Sequence, residues 1–153
     1  MDDAKRDSSP MTLRPLRSDD LDAISRIHVA ACRVAYRFMN WDYSVAEVRE
    51  WYSGKVEEWD WVRVAELSGG VAGYIAMKGG HIDQFFVDPP RQGRGVGSVL
   101  FATALDRGLR PLTLDVFEAN LPARRFYEKR GFKERERWFN EQDRAVQLRY
   151  VLG

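Results

Sequence analysis

The segment from Phe85 to Arg107 restricts the fold more than any other part of the chain. An apolar run, Phe85-Phe86-Val87, ends at Asp88-Pro89-Pro90, and neither proline can donate to a sheet ladder. Gln92-Gly93-Arg94-Gly95-Val96-Gly97 follows, and Ser98 to Arg107 reads as a helix. A strand therefore stops, turns through three glycines and opens a helix. The first amides of a helix lack intrahelical acceptors and sit at the positive end of its dipole. Glycines permit close backbone approach and positive φ, so such a turn suits an anion, phosphate above all. Arg91 and Arg94 add positive charge beside it.

Two familiar phosphate loops do not fit. The Walker pattern closes on Gly-Lys-Ser/Thr, whereas Gly97 is followed by Ser98 and Val99. The dinucleotide fingerprint needs a third glycine where Leu100 stands.

The remaining punctuation supplies the rest of the fold. Met11 to Arg17 is a short first strand, and Ser18 is placed to cap a helix. Leu21, Ile24, Ile27, Ala31 and Val34 recur at three or four residues and give that helix one apolar face. Ser44-Val45-Ala46-Glu47 has capping-box form, so a second helix should run to Ser53 and stop at Gly54. Trp61–Leu67, Val71–Lys78 and His81–Val87 form a strand meander, turned at Ser68-Gly69-Gly70 and Gly79-Gly80. Pro111 to Phe117 is a strand, and Asn120 caps a further helix that ends at Gly131. Phe132–Phe139 and Ala145–Val151 close the chain. The order is β-α-α-β-β-β-α-β-α-β-β, an α/β (α+β) fold. A mixed, mostly antiparallel sheet of about seven strands is expected, with helices on both faces. The strands flanking the glycine-turn helix are joined by a helical crossover and should be parallel, the rest of the sheet mostly antiparallel.

Composition narrows the partners. A chain of 153 residues suits one domain, and a formal net charge of +1 supplies no global field toward nucleic acid or a membrane surface. Cys32 is the single cysteine, which excludes an intrachain disulfide and a multi-cysteine metal site and fits a reducing cytoplasm. No apolar run approaches the roughly 20 residues of a membrane span. Residues 1–10 are polar and aperiodic and are expected to be a flexible leader to a domain at 11–153.

The glycine turn resembles the acyl-CoA pyrophosphate loop of the GNAT (Gcn5-related N-acetyltransferase) superfamily, Gln/Arg-x-x-Gly-x-Gly/Ala, matched by Gln92, Gly95 and Gly97. Downstream, Asn120-Leu121-Pro122-Ala123-Arg124-Arg125-Phe126-Tyr127 and Gly131-Phe132 resemble that family's second block, Asn-x-x-Ala-x-x-Phe-Tyr with Gly-Phe. The resemblance implies acetyl-CoA as co-substrate, no metal, and acetyl transfer to an amine of a small molecule or protein. By the same resemblance a homodimer is an option, while the net charge of +1 sets the expectation of no nucleic-acid and no membrane partner. Phe85, Phe86 and Val87 would pair with the pantetheine arm, and Gly93, Arg94, Gly95, Val96, Gly97 and Ser98 would surround the pyrophosphate. Asn120, Ala123 and Tyr127 would line the same ligand. Phe126 and Phe132 read as core.

The implied reaction has three needs. A lysine-like amine must lose a proton, at a cost of about 4–5 kcal/mol at pH 7. A developing oxyanion needs a donor, which the resemblance places at the Phe86 or Val87 amide. The leaving sulfur needs a proton, for which Tyr127 is the candidate. His81 and Asp83 are two apart on one strand and are the favoured bases, ahead of Asp115 on the neighbouring strand. His28 reads as structural. Tyr36, Phe38, Trp41 and Tyr43, with Trp51 and Tyr52, would border the acceptor or pack beneath a loop. The rival reading is a non-catalytic acyl-CoA sensor, which needs the turn but neither Tyr127 nor a base.

Overall fold

The computed structural model describes residues 10–153, so the expected leader, apart from Pro10, lies outside the described residues. Seven strands form one sheet: β1 (Thr12–Arg14), β2 (Trp61–Leu67), β3 (Gly70–Lys78), β4 (His81–Val87), β5 (Leu112–Phe117), β6 (Lys133–Asn140) and β7 (Ala145–Leu152). The spatial order is β1-β2-β3-β4-β5-β7-β6. All neighbours are antiparallel except β4 and β5. Four helices, α1 (Leu21–Ala35), α2 (Val45–Lys55), α3 (Val96–Leu105) and α4 (Leu121–Glu128), complete the expected order.

The two sheet faces have separate cores. On one, Leu100 and Phe101 of α3 pack with Ile75, Leu114, Leu148 and Tyr150, and Phe126 and Tyr127 of α4 join them. On the other, Ile24 and Ile27 of α1 and Val48 and Tyr52 of α2 pack on Val64, Tyr74 and Ala76. Each fully buried Leu or Ile contributes about 1.5–3 kcal/mol of transfer free energy.

Local chemistry explains most boundaries. The Ser44 hydroxyl accepts from the Glu47 amide at 3.1 Å and the Ser44 amide donates to Glu47 at 3.1 Å, closing the expected capping box. Gly54 does not stop α2, which continues to Lys55 and into a 3-10 turn at Val56–Glu58. Gly54 lacks the positive φ of a left-handed cap. Ser18 does not cap α1 either: it opens a 3-10 turn, and Asp20 instead binds Arg14 at 2.7 Å and the Arg17 amide at 2.7 Å. The first strand is three residues rather than seven, ending before Pro15. The third helix starts at Val96, inside the glycine turn, and not at Ser98. Val34, expected on the apolar face of α1, is 48% exposed.

The feature that positions a site is the β4–β5 pair. Only His81–Thr113 and Ile82–Leu114 are in register, and beyond them the two strands diverge. Backbone groups in the divergent part have no ladder partner across the gap.

Candidate active site

The gap opens into a cleft of about 1060 Å3 that reaches both faces of the sheet. One wall is the glycine turn. Gly93 and Gly95 have φ of 83° and 81°, a conformation that L side chains rarely adopt. Gly95 caps α3, and the first intrahelical bond runs from the Val99 amide to the Gly95 carbonyl at 3.0 Å. The amides of Val96, Gly97 and Ser98 are left without intrahelical acceptors at the rim of the cleft. Gly97 is helical, and a Cβ there would meet Val87 at 3.5 Å, an ordinary contact. The turn thus offers donors and a positive dipole end to an anion. Gln92, Gly93, Gly95, Val96, Gly97 and Ser98 all line the cleft, whereas the exposed Arg94 side chain stands outside its lining.

Arg91 departs from its expected place. Its guanidinium turns to the β2–β3 hairpin, where a Cβ on Gly69 would lie 3.0 Å from Nη2, and Nη1 is buried without a partner among the described residues. A different cation serves the turn. Arg130 stacks on the Phe126 ring, 3.5 Å from its centroid, and donates to Ser98 Oγ at 3.3 Å. Nothing in the sequence gives Arg130 a place at the turn. Its approach to Ser98 is a contact across 32 residues that no local pattern signals.

The opposite wall is α4. Asn120 caps it, its Oδ1 accepting from the Ala123 amide at 3.4 Å. Ala123, Phe126 and Tyr127 line the cleft together. Phe126 packs on Phe85 and Phe101, and Tyr127 packs on Phe101, Phe126 and Phe132, so the rings are fixed. The Tyr127 hydroxyl has no hydrogen-bond partner among the described residues. Burial pushes its pKa above the usual phenol value, so it stays protonated as a donor.

Between the walls, β4 carries a bulge. Ala76 faces Gln84 and Met77 faces Ile82, which leaves Asp83 as the extra residue. The bulge resets the alternation. Asp83 turns to the α2 side, where Trp59 Nε1 donates to it at 2.8 Å and Lys55 approaches at 3.5 Å. Gln84 follows on that side, 3.4 Å from the Tyr52 hydroxyl, while Phe85 packs on α3 and α4 and Phe86 on His28 and Tyr74. Simple alternation would have put Phe85 on the face of Asp83. Farther on, the Asp88 amide donates to the Ala72 carbonyl at 2.8 Å. By strand alternation the Val87 amide then points into the gap and the Phe86 amide toward β3.

His81 and Asp83 both line the cleft. His81 lies in the paired stretch of β4 and β5, one residue before they part, its Nδ1 2.7 Å from Thr113 Oγ1. Burial lowers its pKa below the ordinary 6.5, against the opposing pull of Asp115. Asp115 is occupied by a two-point pair with Arg149 at 2.9 and 3.1 Å.

Across the gap, on the α1/α2 side, His28 is nine-tenths buried. Its Nδ1 lies 2.6 Å from the Tyr52 hydroxyl, which in turn bonds the Tyr74 hydroxyl. Burial pushes the His28 pKa down to about 4, so the ring is neutral at pH 7. The structural reading of His28 describes its Nδ1 side, but the ring also lines the cleft and a second cavity beside it. Of the aromatic cluster, Tyr36 and Phe38 pack on Phe117 of β5. Trp41 and Tyr43 pack edge to face and line the second cavity with Trp51.

A mixed seven-stranded sheet opened between β4 and β5, with a glycine turn at the opening, is the GNAT fold. The solution structure of apo-form YjaB from Escherichia coli superposes with a TM-score of 0.72 at 27% identity, covering 93% of this chain and 97% of that one. Residues 23–132 match the Acetyltransferase (GNAT) family model, and the chain belongs to that family. A peptidyl-lysine N-acetyltransferase, YjaB of Escherichia coli K12, is 44% identical over 73 residues, 48% of this chain and 48% of that protein. An uncharacterized N-acetyltransferase of Methanocaldococcus jannaschii is 31% identical over 143 residues, 82% of this chain and 62% of that protein. The matched part thus spans about half of the first relative and under two thirds of the second. Among the described residues, no helix is long and apolar enough to cross a membrane.

Proposed function

We propose that the chain transfers the acetyl group of acetyl-CoA to a primary amine by direct attack in a ternary complex. One observation carries this reading: the unpaired amides of the glycine turn and the unpartnered Tyr127 hydroxyl face a single cleft that passes between β4 and β5. A non-catalytic sensor would use the first feature and has no need of the second.

The residues present fit acetyl-CoA. The amides of Val96, Gly97 and Ser98 would hold phosphate, and the freed edge of β4 would pair with the amide-bearing arm. Bound there, acetyl-CoA supplies an activated acyl thioester. The Val87 amide is a donor for the carbonyl oxygen as charge develops on it. Formation of the N–C bond releases a proton from the amine and breaks the C–S bond. His81 or Asp83, directly or through water, takes the first proton, and Tyr127 gives one to sulfur. A neutral His81 is suited to accept, and a Tyr127 held protonated is suited to donate. The name of the YjaB relative makes a lysine side chain an early acceptor to try.

A panel of primary amines, incubated with acetyl-CoA and followed by free thiol release, tests the reading. Amine-dependent thiol release with matching N-acetyl product is expected. Tight acetyl-CoA binding with no amine-dependent release across the panel would assign the chain to the sensor class.

A further inference from the structure

A second cavity of about 640 Å3 lies between the segment preceding α2, α2 itself and the β6–β7 turn. It shares His28, Trp51 and Asp143 with the cleft, so the two adjoin there. Its lining combines the indoles of Trp41 and Trp51 with the acidic residues Glu50 and Asp143 and with Glu47, whose carboxylate also accepts from the Ser44 amide in the capping box. These come from α2 and from a turn some 90 residues later, so no acidic run in the sequence announces them. Among the described residues, no lysine or arginine pairs with any of the three carboxylates. Lys55, 5.5 Å from the Trp51 centroid, is engaged by Asp83 and Glu58. His28 is nine-tenths buried at the junction. Tyr52 occupies its Nδ1, and its other ring nitrogen has no partner among the described residues.

Indole faces attract cations through their quadrupole, and uncompensated carboxylates do so through their charge. A cavity with both, joined to a transfer cleft, is complementary to a cation several bonds from the reacting amine. We infer that this cavity is a cation subsite and that the acceptor is an alkyl amine carrying a second positive charge, a diamine or polyamine. The inference rests on the transferase reading for its reactive end. It also fits the chemistry at that end, since a held distal cation aligns the free amine and reduces the entropy lost on attack.

Two measurements on the full chain, the first with CoA and the second with acetyl-CoA as acetyl donor, separate the subsite from the transferase reading. The first uses pentane-1,5-bis(trimethylammonium), which cannot be acetylated, titrated against tryptophan fluorescence. Saturable quenching is expected, weakened about tenfold or more in Glu50→Gln/Asp143→Asn and by added salt. No saturable change, or equal affinity in a folded double variant, would overturn the subsite. The second compares 1,5-diaminopentane with n-pentylamine. The ratio of their kcat/KM values is expected at about ten to a hundred and should fall toward one in the double variant. A ratio near one in the wild-type chain overturns the inference. Dication binding with neither amine acetylated would uphold the subsite and count against the transferase reading.

Discussion

The α3/α4 side and the α1/α2 side of the sheet meet at one gap but are built from different materials. On the α3/α4 side the decisive groups are backbone: amides freed by a helix start and dihedrals that glycine permits at Gly93 and Gly95. On the α1/α2 side they are side chains, with His28 from α1, Trp41 from a loop, Trp51 from α2 and Asp143 from the β6–β7 turn. A backbone site recognises what all its ligands share, on the proposed reading the phosphates of the carrier. A side-chain site is free to vary with the molecule it must select. On the proposed reading, the division means that donor recognition and acceptor selection can be altered separately.

The sharpest test of that separation is Tyr127→Phe. The ring contacts with Phe101, Phe126 and Phe132 persist, and the hydroxyl leaves no partner behind. Turnover should fall by about 10²–10⁴, the range for a lost general acid. Acetyl-CoA affinity and thermal stability should be nearly unchanged. Near-wild-type turnover with chemistry rate-limiting would remove Tyr127 from the reaction.

The next effect is on stability and belongs to the α1/α2 side alone. Burial depresses the His28 pKa from 6.5 to about 4. A histidine with a depressed folded pKa binds fewer protons folded than unfolded between those values, so stability falls as pH drops through that window. The loss is about 3 kcal/mol between pH 7 and pH 4. Urea unfolding at the two pH values should show it in the wild-type chain, with that component missing in His28→Gln. An identical pH dependence in both would mean that His28 is not held neutral by the fold.

A kinetic limb should come from the bulged end of β4. With His81 as base, kcat/KM rises with pH as the ring loses its proton, with a midpoint below 6.5 because burial depresses its pKa. In His81→Ala that limb should shift or vanish, and in Asp83→Ala likewise if water carries the proton to Asp83. A profile unmoved by either change or by both, but altered by Asp115→Asn, would put the base on β5.

The smallest effect is expected at the aromatic wall. Trp41→Ala or Tyr43→Ala should raise amine KM about threefold to tenfold, as for a lost cation–π contact of about 1 kcal/mol, and leave acetyl-CoA KM unchanged. Loss of stability with unchanged amine KM would make these rings packing elements only.

The same contrast explains what was legible in the sequence. The glycine turn and the Asn120–Phe132 block each lie within about a dozen residues, so local dihedral and capping rules reach them. Their meeting across one cleft was implied by the family resemblance. The bulge at Asp83 was not legible, because it depends on the register against β3 and not on any residue type in β4. Arg91 was misplaced because its destination is the hairpin at Gly69. The role of Arg130 and the gathering of Glu50 and Asp143 were missed for the same reason: each is a contact between segments distant in sequence. Gly54 shows the reverse error, a local stop signal overridden because the chain has α2 to continue into Val56–Glu58.

The claim on which the two-sided account depends is that the glycine turn holds acetyl-CoA. Calorimetric titration of acetyl-CoA into the wild-type chain and into Gly95→Glu tests it most directly. At Gly95 the φ of 81° disfavours any side chain, and the added carboxylate would stand at the start of α3 where phosphate belongs. One-to-one binding to the wild-type chain is expected, and no measurable binding to the folded variant. Equal affinity in both would contradict the account.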